Sequence, residues 1–252
     1  MSDIIRLDKM LGEMGYGTRK EIKKLIKDGV VKVDGNIVRD PGNHINTKVQ
    51  SVTVNGEKLD YRKYIYIMMN KPAGVISATE SPYEKTVVGL LPEKYLNFKP
   101  SPAGRLDKDT LGLLLLTNDG ELIHRLISPK KHVPKVYVAR VRGTVTEEDI
   151  DSFKKGVILD DGYRTLPAGL EIIEQGDIST VEVEIFEGKY HQVKRMFEAV
   201  GKKVVLLERI SIGPLKLDTN LKAGEFRELT SHELELLQED ICLDIFSRIS
   251  RN

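Results

Sequence analysis

The chain has 252 residues, 40% of them hydrophobic, and its 39 Lys+Arg against 38 Asp+Glu give a formal net charge of +1. That length allows one large domain or two unequal ones with a real core, while the balanced charge excludes a global basic field and leaves only local patches for a nucleic-acid partner. The single cysteine, Cys242, excludes an internal disulfide and a cysteine-based zinc site, and with no signal-peptide core and no apolar run near the roughly 18 residues of a membrane span the expectation is a soluble, cytoplasmic protein.

The first 60 residues read as a unit of their own. Arg6 to Glu13 is predicted to be a short helix ending near Gly15-Tyr16-Gly17. Thr18-Arg-Lys-Glu21 has capping-box spacing and starts a second helix. In it Ile22, Leu25 and Ile26 make an apolar stripe, while Lys20, Lys23, Lys24 and Lys27 line up on another face. Gly29 ends it. Val30 to Val38 around Asp34-Gly35 predicts a hairpin, and Val49 to Val54 followed by Asn55-Gly56 repeats the pattern. A lysine-rich helix face is, by charge pattern alone, most often just solvated.

The order of these pieces adds to that. Arg6-Leu-Asp-Lys9, Thr18-Arg-Lys-Glu-Ile22, Leu25-Ile26 and Gly29-Val30-Val31-Lys-Val33-Asp-Gly35 fall where the S4 RNA-binding module places its helix pair and hairpin, and most of residues 3–50 resembles that family. The resemblance implies that Arg6, Lys9, Arg19, Lys20, Lys23 and Lys27 present positive charge to folded RNA, reading phosphates and shape more than sequence.

Residues 59–63 end a polar stretch that reads as a linker. Tyr64 to Met69 is predicted to be a strand running into the turn sequence Asn70-Lys-Pro-Ala-Gly74. From Ser77 to Pro102 four prolines and little periodicity predict a mobile or partner-ordered loop. Leu111 to Thr117 is a buried strand closed by Asn118-Asp119-Gly120. Before it lies the charged loop Arg105-Leu-Asp-Lys108, where neighbouring cations favour an ionised Asp107, suited to a nucleophile or base; an ordinary surface ion pair has the same pattern.

Glu121 to Ile127 is predicted to be a helix, and Val136 to Val141 a strand carrying Tyr137, which alone reads as a half-buried strand aromatic. Thr146 caps a helix to about Lys155, and Ala168–Ile173 and Thr180–Phe186 are further strands. Glu187 to Val200 is read as one helix with Val193, Met196, Phe197 and Val200 inward and His191, Gln192, Lys194 and Arg195 near its start. Val204 to Ile212 is a strand, and a closing helix runs from its cap Ser231 to about Ile241.

Phosphate-cradling Gly-rich loops, nucleophile elbows and zinc helices are all missing. The stretch Gly104-Arg-Leu-Asp-Lys-Asp-Thr-Leu-Gly-Leu-Leu-Leu-Leu-Thr-Asn-Asp-Gly120 resembles the catalytic motif of the RsuA-type pseudouridine synthases. Asn70-Lys-Pro-Ala-Gly74, Lys135-Val-Tyr137 and Glu187-Gly-Lys-Tyr-His-Gln-Val-Lys-Arg-Met196 match the same family, in its order. The last of these further resembles the subgroup acting on small-subunit 16S rRNA.

The resemblance implies an α+β protein: an S4-like domain over residues 1–58, a linker at 59–63, and a mixed, mostly antiparallel-sheet synthase domain with flanking helices over 64–252. It implies isomerisation of a uridine at the 516-type site of 16S rRNA, with 23S rRNA as the alternative. Asp107 would be the essential carboxylate, Lys194 the cation beside it with Arg195 as the fallback, Tyr137 the ring stacked on uracil, and Arg105 the residue filling the gap left by the flipped nucleotide. Leu113 to Leu116 would form the apolar floor. Lys71, His191, Gln192 and Arg195 would help hold RNA. The expected partner is 16S rRNA or a small-subunit assembly intermediate, and the expectation is a monomer without metal or cofactor. Two rivals are a glycosidase pairing Asp107 with Asp109, disfavoured by the intervening Lys108, and a non-catalytic rRNA-binding assembly factor.

Overall fold

Local signals account for much of the first unit. The computed structural model describes residues 3–239, which divide into two units, residues 3–65 with 92–99 and residues 66–91 with 100–239. In the first, β1 (Ile4–Arg6) leads into α1 (Leu7–Glu13), and α2 (Arg19–Lys27) starts on Thr18. The Thr18 hydroxyl accepts from Glu21 N while Glu21 accepts from Thr18 N at 2.7 Å, a complete capping box. Strands β2 (Val31–Val33), β3 (Asn36–Ile37), β4 (His44–Asn46), β5 (Val52–Val54) and β6 (Glu57–Lys58) follow. The hairpins β2–β3 and β5–β6 turn on Asp34-Gly35 and Asn55-Gly56, all four with positive φ, which is why these residue pairs stand there.

Leu7, Met10, Leu11, Ile22, Ile26, Val31 and Val33 form this unit's core together with Ile45, Val52, Val54 and Leu59. The stretch expected as a linker therefore belongs to it. Leu59 is buried in the core, and the Tyr61 hydroxyl donates to Glu13 at 2.7 Å. Residues 92–99, including α3 (Glu93–Leu96), group with this unit as well.

The second unit is built on a mixed sheet. Its strands are β7 (Tyr66–Lys71), β8 (Ser101–Pro102), β9 (Leu111–Thr117), β10 (Lys135–Arg142), β11 (Gly169–Glu174), β12 (Ile178–Ile185), β13 (Lys203–Ile212), β14 (Leu215–Lys216) and β15 (Phe226–Glu228). The main order is β11-β12-β10-β13-β9-β7-β15, with β14 on β13 and β8 on β9. All pairings are antiparallel except β9 with β13, which are parallel and meet at Leu111↔Glu208 and Gly112↔Arg209. Leu113 to Leu116 of β9 are buried on both faces, which explains an unbroken apolar run where a half-exposed strand would alternate. Helices α4 (Gly120–Ile127), α5 (Glu147–Lys155) and α6 (Gln192–Ala199) flank the sheet, and the Phe153 ring of α5 meets Phe197 of α6 at 5.0 Å.

Some expectations change here. The proline-rich stretch after Ser77 is packed by its own side chains: Val87, Val88 and Leu91 are buried, and Val87 N donates to Ile76 O at 3.0 Å. The last described helix, residues 231–239, is capped by Thr230 in place of Ser231. The Thr230 hydroxyl accepts from Glu233 N, and the Glu233 carboxylate returns to Thr230 N. Glu233 is also paired with Arg227, whose guanidinium holds its carboxyl down at about 2. The expected end of that helix near Ile241 lies outside the described residues.

Candidate active site

The loop carrying Asp107 is tied down by its main chain. It connects β8 to β9, and the segment after β7 holds it from below. Gly74 N donates to Lys108 O at 2.8 Å, and the Ser77 hydroxyl accepts from Leu106 N at 3.0 Å and donates to Leu106 O at 2.8 Å. Lys71 is fully buried, and its ammonium donates to the carbonyls of Pro72, Lys108 and Thr110 at 3.0, 3.3 and 2.9 Å. Burial pushes its pKa down to about 8, only partly offset by Asp109 and Asp107, so it still carries its proton at neutral pH. Lys71 thus cannot reach RNA as expected; it is an internal brace for the loop.

The opposite wall comes from β10, β13 and the start of α6. Pairing of β10 with β13 slips between Val136 and Tyr137, so Val136 faces Ser211 while Tyr137 faces Arg209. This bulge re-aims Tyr137, which is buried and lines the same recess as Asp107. The helix expected from Glu187 begins only at Gln192, because His191 is left-handed at φ 50. That turn brings His191 and Lys194 to Asp107: His191 Nε2 is 3.5 Å from Oδ1, and Lys194 Nζ is 3.1 Å from Oδ2. Lys194 also binds Asp109 at 2.6 Å. Burial alone would lower the Lys194 pKa, but the hydrogen bonds to Asp109 and Asp107 outweigh it and leave the ammonium above its ordinary value. Burial would likewise raise Asp109, and Lys194 reverses this, holding it ionised.

Arg195 does not serve as a second partner for Asp107. It binds Asp160 and Asp161, the latter at 2.7 Å. Gln192, expected to touch RNA, is buried; its amide nitrogen donates to Glu187 at 2.9 Å and its oxygen accepts from Lys189 N at 2.9 Å. Arg105 is exposed at the cleft rim. Leu113 to Leu116, expected as the floor, are core residues with no exposed surface. The apolar lining beside Asp107 comes from Leu106, Ile185, Val193 and Leu207, around a recess of about 70 Å³. A wider cleft of about 620 Å³ adjoins it, walled by Arg105, Lys135, Tyr137, Tyr190 and Arg209 among others.

Sequence reasoning missed Arg209 and Lys135 as a pair. Arg209 Nε donates to Leu113 O at 2.9 Å, and its buried Nη2 has no hydrogen-bond partner among the described residues, as is true of the Thr110 hydroxyl. Burial, with Arg209 nearby, lowers Lys135 to about 8. Their common signal is sheet register, which a sequence does not display. In the first unit Lys20, Lys23 and Lys27 are exposed along α2, whereas Arg6 is paired with Asp8 at 2.8 Å and Lys9 lies 3.7 Å from Glu13.

A carboxylate paired with a lysine thus shares a recess with a buried tyrosine of the mixed sheet. Residues 65–199 match the family model described as RNA pseudouridylate synthase and residues 5–50 match that of the S4 domain, and the chain belongs to the RNA pseudouridylate synthase family. It is therefore an isomerase. It is 53% identical over 236 residues, 93% of this chain and 99% of the relative, to an uncharacterized RNA pseudouridine synthase, YtzG, of Bacillus subtilis. It is 38% identical to ribosomal large subunit pseudouridine synthase B of the same organism, covering 92% and 95% of the two chains. It is 41% identical to ribosomal small subunit pseudouridine synthase A of Vibrio cholerae, covering 91% and 98%. A crystal structure of a pseudouridylate synthase superposes with a TM-score of 0.65 at 38% identity, over 92% of this chain and 99% of that one.

Proposed function

We propose that this chain converts one uridine of 16S rRNA, at the 516-type site, to pseudouridine with Asp107 as the essential carboxylate. The observation that carries the reading is Asp107 paired with Lys194 at 3.1 Å in a recess that Tyr137 also lines. In the reaction the N1–C1′ bond breaks, the uracil turns, C5 bonds to C1′, the C5 proton leaves and N1 gains one, so atoms balance without a cofactor. Whether the carboxylate adds to sugar or base or takes a sugar proton, the role calls for an anion, and Lys194 at 3.1 Å supplies the opposite charge beside it. Tyr137 stacks on the uracil, with its hydroxyl as relay for the C5 proton. Arg105 fills the stack vacated by the flipped nucleotide. The lining of Leu106, Ile185, Val193 and Leu207 keeps water from the cleaved sugar.

Support for 16S rRNA is the form of Gly188 to Met196 and the relative named for the small subunit; the relative named for the large subunit is the source of the alternative. Mapping pseudouridines in rRNA from cells lacking the protein tests both. One missing site in 16S rRNA is expected; a missing site in 23S rRNA replaces the substrate, and an unchanged map removes the catalytic reading.

The exposed lysines of α2 hold RNA phosphates in this reading. Replacing Lys20, Lys23 and Lys27 together by alanine is expected to flatten the slope of log Kd against log salt by about 2, one contact each. Titrations at several salt concentrations measure it, and an unchanged slope would remove the RNA-binding role of this face.

A further inference from the structure

The segment Glu187 to His191 is held by several polar contacts. Buried Glu187 accepts from Leu166 N, the Tyr163 hydroxyl and Gln192 at 2.9, 2.7 and 2.9 Å. Gln192 fixes Lys189 N, Arg195 Nη1 reaches Tyr190 O at 3.4 Å, and the Lys189 ammonium sits 4.4 Å from the centre of the Tyr163 ring. The next residue, His191, takes a left-handed conformation that a non-glycine residue adopts only when its surroundings impose it. All this rigidity presents one large ring to the outside. Tyr190 is 76% exposed, lies stacked on His191 at 3.8 Å and 19°, and lines the cleft beside Asp107.

We propose that the Tyr190–His191 pair is a stacking platform for an unpaired base next to the flipped uridine, which makes an unpaired neighbour part of the accepted substrate. The inference rests on the reading of the Asp107 recess as the place of a flipped uridine. His191 links the two, being both the under-layer of Tyr190 and 3.5 Å from Asp107. When one nucleotide leaves a strand its neighbour's face is uncovered, and a fixed aromatic ring covers it without regard to base identity. The exposed Arg105 and Lys189 on the same rim suit the phosphates on either side.

The test is a double-mutant cycle in binding, in Asp107→Asn protein so that turnover does not intervene. The probe is an RNA hairpin built around the uridine identified by the mapping, with each flanking nucleotide in turn made abasic. Tyr190→Ala is expected to raise Kd about tenfold. Loss of one flanking base raises it similarly, and the two together no more than either alone. Tyr190→Phe keeps the original Kd because the ring is retained, and equal melting temperatures confirm folding. Multiplicative losses, an unaltered Kd for Tyr190→Ala, or failure of Tyr190→Phe to restore binding would each overturn the platform. Failure of the catalytic reading appears elsewhere, as absent turnover by the unmodified protein.

Discussion

Asp107→Asn is expected to lower uridine conversion by about four orders of magnitude or more while leaving RNA affinity within about threefold. The substitution is nearly isosteric, removing the negative charge and exchanging one acceptor oxygen for an amide nitrogen. Lys194 would remain bonded to Asp109, 2.6 Å away, so no buried ammonium is left alone and the fold has no reason to fail. The measurement is tritium release from RNA labelled at uridine C5, with gel-shift titration alongside. Release at the original rate by the asparagine protein would sink the catalytic assignment. Binding lost together with turnover would move Asp107 from chemistry to recognition.

The second large effect is expected at Gly112, in stability. This residue stands at φ +97, and a Cβ there would lie 2.3 Å from Arg209 O and 2.8 Å from Arg209 N. Both contacts are backbone, at the parallel pairing of β9 with β13, so neither can swing aside. Gly112→Ala must part the strands or distort its own φ, a cost of about 3 kcal/mol or more. For a unit of this size that lowers Tm by roughly 6 to 12 °C. Activity falls with it, because Asp107 stands on one side of this seam and Tyr137 and Lys194 on the other. Gly162 has a similar φ of +80 with open space where a Cβ would go, so Gly162→Ala should cost only about 1 kcal/mol. Calorimetry of the two variants checks the comparison, and a Gly112→Ala protein melting within 2 °C of the original would refute the packing argument.

Sequence reading succeeds where structure is local and stops where it is not. The capping box at Thr18, the two Asx-Gly hairpins and the leucine strand are local devices, spelled out by a few neighbouring side chains. The pairing of Asp107 with Lys194 is legible through the family resemblance. What could not be read is whatever depends on three dimensions at once. Nothing in the chain order indicates that Lys194 would bridge two carboxylates or that a bulge would set Tyr137 against Arg209. The run from Glu187 has helical spacing, yet its first turn is undone by a left-handed histidine held from outside. Lys71, expected toward RNA, is instead enclosed, and only the converging carbonyls make its burial tolerable.

Those carbonyls carry a consequence for how the enzyme can change. Lys71 grips the loop through the main-chain oxygens of Pro72, Lys108 and Thr110, and every amino acid supplies that oxygen. The path of the loop is therefore insulated from its own spelling at positions such as Lys108, whose side chain points outward to Glu84. Drift at such positions can retune what the rim touches without dislodging the carboxylate. The tolerance is asymmetric: variation is cheap at gripped positions such as Lys108 and expensive at Lys71, whose one ammonium holds three carbonyls.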